Sequence, residues 1–301
     1  MIYTVTLNPA IDKTFVMDEK KNIIKEILQP AGKGINVSLA LNQLNQKSTI
    51  ITLLGGDNGA YLKHQINKLG IPLIFLEISG NSRLNNKYIF HDGKVKEVNE
   101  QGPLCDITVL GKLQKILEST VMKGDIVVFS GSVPKGLPDN TYQILIESLK
   151  QKGVVTVLDA NKVQLKNGLL AHPTIIKPNQ DELGHTFDTQ INDVKEASVY
   201  AKKTHNKGIK EVLVTLGSLG SILVASKSYC AEPMELSVKN TVGAGDSFLA
   251  GYIYGKVNGY NLKDAFTFAV AVASSSVVNE VTGIHNNQAS HFFNQIVIKE
   301  M

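Results

Sequence analysis

The stretch "NTVGAGDSFLAG" (residues 240–251) decides how the rest of this chain is read. Three small residues, Gly243, Ala244 and Gly245, lead into an acid, Asp246, and an apolar run follows. Phe248, Leu249, Ile253 and Val257 recur at helical spacing, so a helix is expected over 246–258. Asp246 would stand at its mouth, where two roles are open to it. Aspartate caps helices by accepting from the first backbone N–H groups. Alternatively, Asp246 acts on something held by the loop before it. Capping does not explain why the preceding residues are so small. Glycine-rich backbone at a helix N-terminus approaches a phosphate closely, and the helix dipole favours its charge.

Outward from this stretch, short β-branched runs alternate with helical patterns. Strands are expected at 2–7, 48–56, 125–132, 154–161, 174–179 and 211–217. Several are near-continuous apolar runs, as required of parallel strands covered on both faces. Helices are expected at 34–46, 59–69, 107–122, 139–152 and 191–207. Such alternation implies βαβ units in a doubly wound, mostly parallel α/β sheet, with ligands at the carboxyl ends of the strands. Segments 10–30 and 82–100 break the alternation with extended, polar-alternating patterns. The second contains Asp92-Gly93 between two alternating runs, a hairpin signal, since a type I′ turn needs positive φ at both central positions. A small β-sheet outside the main layer is expected there. No internal repeat or linker divides the 301 residues into independent domains.

Composition sets the class. Apolar residues make up 43% and charged residues 19%, a soluble globular balance. The net charge of +4 comes from scattered lysines without a basic block, which argues against nucleic acid as a partner. Two cysteines without C-x-x-C spacing argue against a disulfide scaffold or zinc site and suit a reducing compartment. The opening "MIYTVTLNPA" has no basic region leading into a long apolar segment, so no secretory signal is expected. The late stretch "AFTFAVAVASSSVV" (265–278) is too short and serine-rich to span a bilayer and reads as a buried helix. A cytoplasmic protein without a membrane partner is expected.

Five glycine-bearing loops follow strands or open helices: "AGKGIN" (31–36), "GGDNG" (55–59), "SGSVPKG" (130–136), "LGSLGS" (216–221) and "VGAGDS" (242–247). Singly they are turn punctuation. Together, at one end of one sheet, they point to a phosphate-handling site. Walker, Rossmann, nucleophile-elbow and H-E-x-x-H patterns are absent, which disfavours P-loop NTPases, dinucleotide dehydrogenases, α/β-hydrolases and zincins. Two further acids stand out. Glu182 and Asn179, at i and i+3 past a strand end, suit either a hydrated Mg²⁺ or a capped helix start. Asp12 follows the first strand and reads as a turn residue or a ligand contact. The seven histidines are scattered, with no nucleophile or metal pattern.

With these residues in view, the chain resembles the ribokinase-like (PfkB-type) carbohydrate kinases. "NTVGAGDSFLAG" resembles their C-terminal signature, "AGKGIN" their N-terminal glycine signature, and "KPNQDE" (177–182) their N-x-x-E metal motif. "TLNPAID" (6–12), "SRLNNK" (82–87) and "SGSVPKG" resemble the branch containing 1-phosphofructokinase and tagatose-6-phosphate kinase. Ala31 stands where many relatives have glycine. The resemblance implies a ribokinase-like fold with a small β-lid formed by 10–30 and 82–100, the lid also serving as a homodimer contact. It implies ATP-dependent phosphorylation of a ketohexose phosphate, fructose 1-phosphate before tagatose 6-phosphate. Asp246 is then the catalytic base, in front of an anion hole of Gly243, Ala244 and Gly245 N–H groups. Asn179 and Glu182 serve Mg-ATP, Glu182 through water. Lys177, Thr215, Gly217 and Gly220 contact the nucleotide. Asp12, Gly32, Lys33, Gly34 and Asn36 hold the sugar, and Arg83 and Lys87 hold its phosphate. Whether K⁺ joins ATP and Mg²⁺ stays open. A carboxylate of ordinary pKa would suffice as the base, because the hydroxyl proton leaves late. A catalytically silent sugar-phosphate sensor is the alternative from another class. A kinase for an unphosphorylated sugar is the third possibility, with little need for Arg83 and Lys87.

Overall fold

The computed structural model describes residues 1–92, 94–279 and 286–301. The first part of the chain runs β1 (Ile2–Thr6), β2 (Ala10–Met17), β3 (Ile23–Ala31), α1 (Lys33–Gln43), β4 (Thr49–Leu54), α2 (Gly56–Lys68), β5 (Leu73–Glu77), β6 (Arg83–Ile89) and β7 (Val95–Asn99). The middle follows with α3 (Thr108–Thr120), β8 (Ile126–Ser130), α4 (Thr141–Ser148), β9 (Val155–Asp159), α5 (Lys162–Gly168), β10 (Ile175–Ile176), α6 (Gln180–Thr186) and α7 (Val194–His205). The last part is β11 (Glu211–Thr215), β12 (Ser221–Val224), β13 (Ser228–Ala231), α8 (Ala244–Val257), α9 (Leu262–Val277), α10 (Asn286–Phe293) and β14 (Ile298–Glu300).

Two sheets result. The large one has ten strands in the order β14-β13-β12-β11-β10-β9-β8-β1-β4-β5. Strands β5 through β11 in this row pair parallel, and β11 to β14 antiparallel. The doubly wound α/β expectation holds. The antiparallel edge is an addition, since β12–β14 are short and broken by polar turns that mask their period. The small sheet has the order β3-β2-β6-β7 and comes from the two segments expected to form it. Its β6–β7 hairpin is present, but Gly93, half of the expected turn pair, lies outside the described residues.

Side-chain alternation builds the core. In β8, Val127 and Phe129 enter one apolar layer with Leu113, Tyr142 and Leu145. Ile126 and Val128 enter the opposite layer with Leu213, Phe248 and Phe266. Period two thus buries both faces of a central strand. The apolar stretch 265–278 forms α9, packed on α8 through the edge-to-face pair Phe248–Phe266. No helix among the described residues is long and apolar enough to cross a membrane. Cys105 and Cys230 are both free thiols.

Close backbone approaches place the site. Gly34, in the first turn of α1, lies against β1, where a Cβ would sit 2.5 Å from Thr6 Oγ1. Only glycine lets α1 begin directly over the end of β1.

Candidate active site

The carboxyl ends of the parallel strands converge on the first turns of α1, α6 and α8. Gly243 caps α8 in the left-handed region (φ 77°), so the helix starts at Ala244, two residues earlier than its apolar period suggests. Of the two roles left open for Asp246, helix capping is not the one realised. Asp246 lies inside the first turn and makes no capping bond. Its Oδ2 instead accepts a 2.7 Å hydrogen bond from Asn36 Nδ2 on α1.

Asp246 is buried, 7% exposed. Its pKa is pushed up to about 6, first by desolvation and then by the charge of Asp159; the Asn36 bond, Lys33 and Lys177 oppose the rise. At neutral pH the group is still mostly ionised.

Asp159, at the end of β9, is fully buried and organises the charges below. Lys33 Nζ donates to its Oδ1 at 3.0 Å and to Glu182 Oε1 at 3.1 Å. Lys177 Nζ lies 3.1 Å from Asp159 Oδ2, as an ion pair without hydrogen-bond alignment. Burial pushes the Asp159 pKa up, but Lys177 and Lys33 outweigh it and hold the carboxyl below its usual range. Burial likewise pulls Lys33 down, and the acids Asp159, Glu182 and Asp246 more than reverse it. The sequence reading missed Asp159. Its signal is a lone acid ending the apolar run "VVTVLD" at the ligand side of a parallel sheet.

Asn179 and Glu182 form a reciprocal capping box at the start of α6. Asn179 Oδ1 accepts from Glu182 N, and Glu182 Oε2 accepts from Asn179 N, both at 2.8 Å. The helix-start alternative is therefore realised. It does not exhaust these groups, because each oxygen keeps a second lone pair. Among the described residues, no cluster of three or more His, Cys, Asp or Glu could hold a metal unaided. The donor set fits a cation bound through water, not one ligated by protein alone.

Two cavities meet at the first turn of α8. One is a cleft of about 970 Å³, reaching from Asn179, Thr215, Gly217 and Gly220 to Ala244 and Gly245. Its walls include Leu236, Phe248, Val270 and Val277. At Gly245 a Cβ would press to 3.3 Å of Lys177 Nζ, so glycine leaves room for that amine beside the turn. Ala244 N–H donates to Thr241 O at 3.2 Å, closing the turn that presents the helix end. The other cavity, about 200 Å³, lies across the turn and is lined by Asp12, Gln29, Asn36, Gly243 and Ser247. Gly32, at φ 127°, starts α1 beside it, and Lys33 points away toward Asp159.

The small sheet carries the remaining groups. Asp12 is a strand residue of β2, not a turn residue. Register pairs Ala10, Asp12 and Thr14 with Arg83, Asn85 and Lys87, so these alternate positions share one face. Burial raises the pKa of Asp12, partly offset by a 2.8 Å bond from Asn85 Nδ2. Lys87 Nζ donates to Asn240 Oδ1 at 3.3 Å, linking this sheet to the loop before α8. Asn85 and Asn240 were not singled out from sequence, where asparagines in polar stretches are too common to notice.

Residues 7–288 match the pfkB family carbohydrate kinases. The chain belongs to this family. A 1-phosphofructokinase from Bacillus subtilis (strain 168) is 34% identical over 290 residues, covering 94% of each chain. A tagatose-6-phosphate kinase from Staphylococcus epidermidis is 30% identical over 311 aligned positions, covering 100% of both. Among solved structures, phosphofructokinase-2 from Escherichia coli in complex with potassium shares the fold, with a TM-score of 0.92 at 24% identity over 98% of each chain. A tetrameric inhibited form of that protein has also been solved.

Proposed function

We propose that this kinase transfers the γ-phosphoryl group of ATP to a hydroxyl of a ketohexose phosphate, with fructose 1-phosphate phosphorylated at O6 as the leading substrate. One observation carries the reading. A single helix turn, with the buried carboxylate of Asp246 behind it, separates a large cleft from a small cavity into which Asp12, Asn36 and Ser247 bring polar groups. The cleft suits an adenine nucleotide, and the cavity suits a sugar. Transfer in line between them passes the turn.

The chain's own residues then have distinct tasks. Asp246 accepts the proton of the attacking hydroxyl, oriented by Asn36. The N–H of Ala244 is taken by Thr241 O, which removes it from the expected anion hole, and the remaining first-turn N–H groups of α8 with its dipole stabilise charge on the transferred group without reorganisation. Lys177 and Lys33, anchored on Asp159, add positive charge beneath the turn. Thr215, Gly217 and Gly220 border the nucleotide, and Asp12 and Asn36 the sugar. Asn179 and Glu182 would hold a hydrated Mg²⁺, which would supply charge neutralisation to the nucleotide phosphates. K⁺ is a further candidate, tested by its effect on rate. Arg83 and Lys87 share the face of Asp12 on the small sheet, and this placement of two cations would serve the substrate's own phosphate.

The small sheet serves as a lid that excludes water from the transfer. On its reverse face, Leu28, Lys13, Asn86 and Val98 form one row across the four strands, and Leu28 and Val98 are exposed. That row supports a homodimer through the lid, which sedimentation of the wild type tests. The free thiols suit a reducing cytoplasm.

ATP turnover with a panel of ketohexose phosphates, beside Asp246→Asn, tests the reading. Turnover of fructose 1-phosphate with a loss of about 10²–10⁴ in the variant supports it. Tight binding without turnover of any phosphosugar would sink the kinase reading and favour a sensor.

A further inference from the structure

Asn85 occupies a singular place on the small sheet. It lies within β6, although strands disfavour asparagine. Its side chain joins two charges of opposite sign. Arg83 Nη1 donates to Asn85 Oδ1 at 2.8 Å, and Asn85 Nδ2 donates to Asp12 Oδ1 at 2.8 Å. The amide orientation is forced, since a guanidinium can only donate and a carboxylate only accept. The other Arg83 partners are neutral backbone oxygens: Nε donates to Asn8 O at 3.1 Å and Nη1 to Glu100 O at 3.3 Å. No ion pair joins Arg83 to Asp12 among the described residues, although their side chains share a face one register step apart.

We infer that Asn85 is a specificity-determining spacer: its amide keeps Asp12 and Arg83 from pairing, leaving the acid to read a sugar hydroxyl and the guanidinium to bind the substrate's phosphate. This rests on the phosphosugar reading given above. Without the spacer, the two charges would satisfy each other. Arginine and carboxylate make strong bidentate pairs, and a phosphate would then have to compete with a resident anion. Few other side chains could do the same work. Aspartate cannot donate to Asp12, leucine does neither task, and serine is too short to reach both groups.

The test measures kcat and KM for wild type, Asn85→Ala and Asn85→Asp, with fructose 1-phosphate, free fructose and ATP varied separately. The phosphosugar KM should rise about 10- to 100-fold in both variants, as expected for losing a hydrogen bond to charged groups. The ATP KM should stay within about twofold, and the preference for phosphorylated over free sugar should shrink. A double variant, Arg83→Ala with Asn85→Ala, should be little worse than Arg83→Ala alone, because Asn85 acts through Arg83. An unchanged phosphosugar KM, or losses that simply add in the double variant, overturns the inference. Asn85→Asp nearly preserves shape and serves if Asn85→Ala fails to fold. If the wild type turns over no phosphosugar, the kinase reading falls first. Calorimetric binding of fructose 1-phosphate to wild type and Asn85→Asp then still decides the spacer.

Discussion

Replacing Asp246 by asparagine should change both rate and stability with a defined pH dependence. Burial and the neighbouring Asp159 charge put the Asp246 pKa at about 6. Its ionised fraction therefore climbs from about a tenth at pH 5 to about nine tenths at pH 7, on a simple titration of a general base. Substrate phosphates also titrate near pH 6, so the wild-type profile alone is ambiguous. The ratio of kcat/KM between wild type and Asp246→Asn removes that shared ionisation. It should rise about tenfold from pH 5 to pH 7 and then level off, reaching about 10²–10⁴. Stability moves the opposite way. The folded pKa is raised above the ordinary carboxylate value, so Asp246 contributes stability below that value and loses it as pH rises through about 6. The full shift of about two pK units corresponds to about 3 kcal/mol. Between about pH 4.5 and pH 8, wild type should lose about 2 kcal/mol relative to the asparagine variant in denaturant unfolding. A flat rate ratio from pH 5 to pH 8, or a ratio below about 10 at pH 7.5, would refute the assignment of Asp246 as the base.

Lys177→Met should destabilise by about 3–5 kcal/mol in chemical denaturation, because it leaves the fully buried Asp159 without one of its two cations. Gly34→Ala should lower Tm and raise the sugar KM together, since a Cβ 2.5 Å from Thr6 Oγ1 forces α1 and Asn36 away from β1. Neutralising Arg83 and Lys87 together should reduce kcat/KM for the phosphosugar by about 10²-fold or more, judged from charge-assisted bonds; little change would favour a kinase for free sugars. Chelation with EDTA should abolish turnover, and Mg²⁺ should restore it, while the unfolding midpoint without nucleotide barely moves, because the described residues offer no closed metal site.

The sequence alone determined the strands that bury both faces, the helices between them, and the two segments that pair into the small sheet. These follow from local period and turn chemistry, which a chain displays without folding. Its family resemblance also grouped Asp246, Asn179, Glu182 and the glycine loops as an expected phosphate-handling set. Tertiary structure decided the rest. A left-handed Gly243 moved the start of α8 and left Asp246 no cap but a buried acid held by Asn36, a residue 210 positions away in the chain, which decided between the two roles open to it. Asp159 became the anchor of Lys33 and Lys177 only when β9, α1 and the end of β10 came together. The pairing of β2 with β6 set Asn85 between Asp12 and Arg83. The physical reason is the same in each case. A carboxylate's pKa and an amide's partners depend on which groups surround them at a few ångströms, and those groups come from distant parts of the chain.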